Sequence, residues 1–180
     1  MRRTLYKWFW AWDFEKEEKW LNEKSAQGLQ LIDVGLCRYT FEEDQQGRYQ
    51  YRLEILNNHP STAKNIAYIR FLEEMGVEHV GTLFKWIYLR RKASEGSFDL
   101  YNDLDSRINH LKRISNLFFW ILLINLFALC LNLANSIQFG NTSSIVCVFV
   151  SAAMVLLLAF GIVTVSTKKG TLQKERMLRE

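Results

Sequence analysis

Fifty-four consecutive residues, 114–167, contain no Asp, Glu, Lys or Arg. Two apolar runs lie inside this stretch, 117–134 and 145–165, joined by the uncharged "NSIQFGNTSS". A helix needs about 20 mostly apolar residues to cross about 30 Å of hydrocarbon. The second run meets that length, and the first does so once residues 114–116 are added, with Trp120 in the aromatic belt. A buried helical hairpin in a soluble core is the competing reading, and it is disfavoured because neither run keeps a polar face for water. The expected layout is a first span at 114–134, an external loop at 135–144, a second span at 145–165 and a basic tail at 166–180. Arg107, Lys112 and Arg113 precede the first span, and Lys168 and Lys169 follow the second. The positive-inside rule then puts both termini in the cytoplasm of a two-pass protein of the cell membrane, with the lipid bilayer as its first partner. Arg2 and Arg3 resemble the start of a secretory signal, but Lys7 and Asp13 bracket too short an apolar run.

Charge elsewhere is nearly balanced. Of a formal net +4, the tail supplies +3, from five basic and two acidic side chains. Residues 1–113 are close to neutral, which argues against nucleic acid as a direct ligand, since phosphate contacts need a clustered cationic surface. Cys37, Cys130 and Cys147 form no CxxC, and three scattered histidines complete no metal motif, so no cofactor is expected. Cys130 and Cys147 fall at similar depth near the outer leaflet, where small apolar fillers are favoured over a disulfide. Asn125 is the main polar anomaly inside the first span, and an amide at that depth favours an interhelical hydrogen bond. No GxGxxG, P-loop, GxSxG or HExxH occurs, so the chain does not read as an enzyme.

The N-terminal half carries an internal repeat. An offset of 48 places Gly28 on Gly76, Trp20 on Tyr68, Leu21 on Ile69, Leu29 on Val77 and Ile32 on Val80. Alternation predicts strands near 3–12, 29–42, 48–56 and 78–91. Asp13 is positioned to cap a helix ending at Gly28, and Ser61 or Thr62 to cap one ending at Gly76. Two βαβ units in tandem predict an α+β protein, a ferredoxin-like βαββαβ plait over residues 1–92, followed by the transmembrane α-helical hairpin. In that plait one four-stranded sheet has its first and third strands central, and "EEDQQGR" turns between the second and third. Residues 93–113 read as a linker and an amphipathic juxtamembrane helix with Leu100, Leu104, Ile108 and Leu111 on one stripe. With no Pro or Gly from Phe98 to Phe139, this connector could form one helix with the first span, but an amphipathic stem packed on its own domain is the favoured reading.

Aromatic residues supply the candidate site. Tyr6, Trp8, Trp10 and Trp12 share one side of the first predicted strand, while Leu5 and Phe9 occupy the other. Phe84, Trp86 and Tyr88 repeat the pattern in the fourth. A sheet covered by helices on one face should not be apolar on both. These seven residues are therefore expected to meet the connector stem, a protein partner, a ligand or a second copy of the chain. The leading expectation is a non-enzymatic regulatory or sensing protein. The alternatives are a small-molecule binder or accessory transporter subunit, holding its ligand by stacking and cation–π contacts, and a homo-oligomeric structural protein.

The ordered set "EEKWLNEKSAQGLQL", "YTFE", "YQYRLEI", "FLEEMGVEHV" and "WIYLRRK" resembles the bacterial domain-of-unknown-function 2812 family over about residues 5–113. Many members of that family carry a membrane hairpin next. Where the family often has a tryptophan after each of the two glycines, this chain has Leu29 and Val77. The family carries no established catalytic residues. Its genes often neighbour those of PadR-like transcriptional regulators, so the resemblance implies a membrane-bound partner or signal input for such a regulator.

Overall fold

A computed structural model describes residues 1–98, 104–140 and 142–179, in two compact units, Met1–Asn102 and Asp103–Glu180. The first unit is α+β. Its elements are β1 (Arg2–Tyr6), α1 (Phe14–Ala26), β2 (Leu29–Gly35), β3 (Arg38–Glu43), β4 (Tyr49–Ile55), α2 (Ala63–Glu74), β5 (Glu78–Leu83) and β6 (Trp86–Lys92). Adding 48 to β1, α1, β2 and β3 lands on β4, α2, β5 and β6 within a residue or so. The repeat is therefore real, but its unit is βαββ.

This differs from the expected plait at three points. Each long predicted strand, 29–42 and 78–91, is folded back as a two-residue hairpin, at Leu36–Cys37 and Phe84–Lys85. Neither loop contains Gly, Asn or Pro, so apolar alternation runs through the turn and conceals it. The chain turns because Cys37 and Phe84 take positive φ, 57° and 55°. Six strands then form two three-stranded antiparallel sheets, ordered β1-β3-β2 and β4-β6-β5, in place of one four-stranded sheet. Residues 44–48 pass from one sheet to the other, turning at Gly47 with φ 65°, rather than joining paired strands. Finally, β1 stops at Tyr6 and is an edge strand, so Trp8, Trp10 and Trp12 are not on a strand.

Local features repeat with the same offset. Gly28 and Gly76 end the two helices with φ 82° and 83°, the left-handed conformation expected of a helix C′ glycine. Bulges occur between Leu31 and Asp33 and between His79 and Gly81, leaving Ile32 and Val80 as equivalent extra residues. Asp13 and Thr62 stand at the two N-caps without capping through their side chains: Asp13 pairs with Lys16 at 2.8 Å, and Thr62 donates to the His59 carbonyl.

Sheet meets sheet where β2 lies against β5. The approach depends on Gly81, where a Cβ would come within 2.9 Å of Val34 Cγ1. Gly81→Ala is expected to destabilise the unit by about 1–3 kcal/mol through overpacking. Val34→Ala on the same chain should recover part of that loss in a denaturant titration. The main core joins both repeats, with Leu21, Leu31, Phe41, Tyr51 and Leu53 almost fully buried. A second cluster packs Leu56, Leu72, Val77, Ile87, Leu89 and Phe98.

The second unit is a hairpin of two helices, α3 (Leu104–Phe139) and α4 (Thr142–Arg179). α3 has 36 residues, about 54 Å at 1.5 Å per residue, so from Leu104 onward the connector and the first apolar run form one helix. Leu100 and the rest of 99–103 lie outside the described residues, as does Asn141 of the predicted loop. Both helices are long and apolar enough to cross a membrane, and only 6% and 11% of their most apolar windows is buried. Such exposure is the reverse of what a core helix of a soluble protein needs. The Asn125 amide donates to the Ile121 carbonyl one turn back in its own helix, at 3.0 Å. Within the apolar stretch a polar contact between the helices joins Asn132 to Ser151, at 3.5 Å. At the open end Asp105 pairs with Arg176 at 2.9 Å. Cys130 and Cys147 are both free and exposed.

Candidate functional site: an aromatic end and a buried glutamate

Residues 7–13 run between the two hairpin tips. At one end, the Lys7 amide donates to the Cys37 carbonyl in the first tip, at 3.0 Å. At the other, Phe14 packs on Trp86, just past the second tip, with centroids 5.6 Å apart. The three indoles of this segment form a ladder. Trp8 meets Trp10 edge to face at 5.3 Å, and Trp10 stacks on Trp12 at 5.0 Å with planes 3° apart. Trp12 is buried and anchors the ladder, while Trp8 and Trp10 are 57% and 38% exposed. A turn closed by Asp13 N–H on the Trp10 carbonyl, at 2.8 Å, leads into α1.

The tips carry their own exposed apolar residues. Leu36 and Phe84 are equivalent under the 48-residue offset, and they are 66% and 76% exposed. A bulky side chain with φ near 55° strains the backbone, and here it buries almost nothing within the chain. Phe84→Gly should therefore raise stability by about 1 kcal/mol, read as a higher denaturation midpoint. No such gain is expected at Leu36, whose φ is not positive.

The seven candidate aromatics thus divide. Tyr6, Trp8, Trp10 and Phe84 face outward, whereas Trp12 and Tyr88 are buried and Trp86 packs half-buried against the core. Tyr88 leads to a group that alternation does not reveal. Glu17 on α1 is 7% exposed, and its Oε1 accepts hydrogen bonds from the hydroxyls of Tyr39 and Tyr88, each 2.7 Å long. Desolvation raises the carboxyl above its ordinary pKa, and the two phenol bonds oppose that rise. Burial, with the neighbouring Glu17 charge, pushes both phenols upward, so they remain donors. The sequence does hold a signal: Glu17 lies three residues after Phe14 and three and four before Trp20 and Leu21, on the apolar stripe of α1. Beside this group, the Lys7 ammonium lies 4.9 Å from the ring centroids of both Phe9 and Trp20.

Chemically, this is an aromatic surface backed by a buried, hydrogen-bonded carboxyl group. Glu17 has its partners inside the fold, and no cluster of metal-ligating side chains occurs among the described residues. A groove of about 500 Å³ is lined by Gln45–Arg48 and Lys92–Ser94, none of them a residue of the aromatic end. The residues placed to set topology, Arg107, Lys112, Arg113, Lys168 and Lys169, all lie toward the open end of the helical hairpin.

Fold and site together define a class: an α+β domain of two βαββ repeats, attached to two helices that can cross a membrane. The chain belongs to the family described as protein of unknown function DUF2812, which matches residues 13–123. That match begins at Asp13, after the indole ladder, and ends within α3. No curated protein and no solved structure matches the chain.

Proposed function

We propose that the protein is a two-pass membrane-anchored, non-enzymatic regulatory module, with both termini and the α+β domain in the cytoplasm. Lys and Arg at the open end of the hairpin, against an uncharged connection, support that orientation. The observation that carries a partner-binding role is an exposed apolar stripe on α2. Phe71 and Met75, one turn apart, are 54% and 59% exposed, and Ala67 continues their row. A stripe of this kind fits a helix or groove of a second protein. The family resemblance makes a PadR-like transcriptional regulator the partner of choice.

A photoreactive amino acid in place of Phe71, activated in intact cells, tests this reading. The expected product is an adduct with a soluble regulator, lost when Met75 is changed to Glu. Adducts only with the chain's own peptides would overturn it.

A further inference from the structure

We infer that the aromatic end formed by Trp8, Trp10, Leu36 and Phe84 is a membrane dock that rests in the headgroup zone of an anionic bilayer. The surface is distinct from the α2 stripe. Two hairpin tips related by the internal repeat each project a large apolar side chain, and the indole ladder spans the segment between them. At one tip the exposed side chain sits on a backbone that favours glycine, so the position works against stability unless the ring has a partner. Two exposed indoles and Tyr6 have the composition of an interfacial belt, where one edge of each ring is apolar and the other wet.

Charge favours an anionic surface over a neutral one. Residues 1–12 include Arg2, Arg3 and Lys7 and no carboxylate. Arg2 and Arg3 are engaged by Glu42 and Glu43 on β3. Of the acids near this end, Asp13 pairs with Lys16 and Asp33 with Arg38, and Glu15 is an exposed residue of the first turn of α1. Lys7 and Lys85 against Glu15 leave the aromatic end with a small cationic excess, which anionic headgroups attract. Tethering completes the argument. The domain and the apolar hairpin belong to one chain, so a bilayer holding the hairpin is presented to the domain at high effective concentration, and a weak interfacial preference suffices.

The test uses the full chain in vesicles of phosphatidylcholine with about one-third phosphatidylglycerol, carrying Trp120→Phe so that every remaining indole lies in the first unit. Lipids brominated near the headgroup should quench the fluorescence of Trp8 and Trp10 by a third or more, and replacing phosphatidylglycerol with phosphatidylcholine should reduce that loss. Phe84→Gly together with Leu36→Ser should at least halve the quenching, although Phe84→Gly relieves backbone strain and keeps the fold. Indoles untouched by brominated lipid but freely quenched by aqueous iodide would overturn the proposal. So would indoles shielded from both by a bound protein. Either result leaves the α2 crosslink unaffected.

Discussion

Replacing Glu17 with alanine is expected to lower the unfolding free energy of the N-terminal unit by about 2–5 kcal/mol. The change leaves the hydroxyls of Tyr39 and Tyr88 buried without their shared acceptor, and an unsatisfied buried donor costs about 1–3 kcal/mol each. Urea titration followed by tryptophan emission reads this directly, because five of the six indoles (8, 10, 12, 20 and 86) precede residue 99. Glu17→Gln should cost less, since its amide oxygen can still accept from both phenols. The two variants also separate hydrogen bonding from charge. Burial raises the Glu17 pKa above 4.5, so the folded state holds a proton that the unfolded state has already released. The contribution of Glu17 to stability is then full below about pH 4.5 and falls as pH rises through the folded-state pKa, beyond which it levels off. Glu17→Gln should remove that fall. A pH profile unchanged by Glu17→Gln would mean that the carboxyl is already ionised throughout.

What is legible in the sequence divides by range. The two helices, their terminal glycines, the 48-residue repeat and the apolar spans all follow from spacing, because each depends on a local periodicity. The two hairpins do not. Leu36–Cys37 and Phe84–Lys85 turn on positive φ in residues that give no turn signal, so two strands read as one and two sheets as one plait. The tryptophans leave the strand for a related reason. Indoles at 8, 10 and 12 alternate like a strand, yet β1 ends once β3 has no more backbone to offer beyond Arg38, and the rings stack on one another instead. Asn125 gives one amide proton to a carbonyl of its own helix, a local bond that its position in the span does not reveal.

Symmetry between the repeats is broken where it matters for solubility. β4 pairs with β6 along one edge, and its other edge would present free backbone groups. α1 closes that edge with a stripe at i, i+4 and i+7. Glu18 accepts from the Leu53 amide at 2.8 Å, Asn22 accepts from the Tyr51 amide at 2.9 Å and donates to its carbonyl at 3.1 Å, and Ser25 donates to the Tyr49 carbonyl at 2.6 Å. The match is geometric: one turn of helix rises about 5.4 Å, close to the two-residue repeat of a strand. In the second repeat the equivalent positions of α2 are Ile66, Arg70 and Glu73, a set that cannot reproduce this pattern.

Asn22→Ala should therefore cost about 2–3 kcal/mol, because it opens a donor and an acceptor on a half-buried edge at once. Asn22→Asp should be nearly as harmful despite equal size, since a carboxylate accepts from the Tyr51 amide but faces its carbonyl with no proton to give. Arg70→Ala, the same position in the exposed second helix, should change stability by no more than about 0.5 kcal/mol. The opened edge has a further consequence. Its unpaired groups become a template for another chain, so Asn22→Ala should sediment as larger species at concentrations where Arg70→Ala does not. Equal losses at the two positions would mean that α1 stabilises β4 through apolar packing alone, and that the polar stripe contributes little.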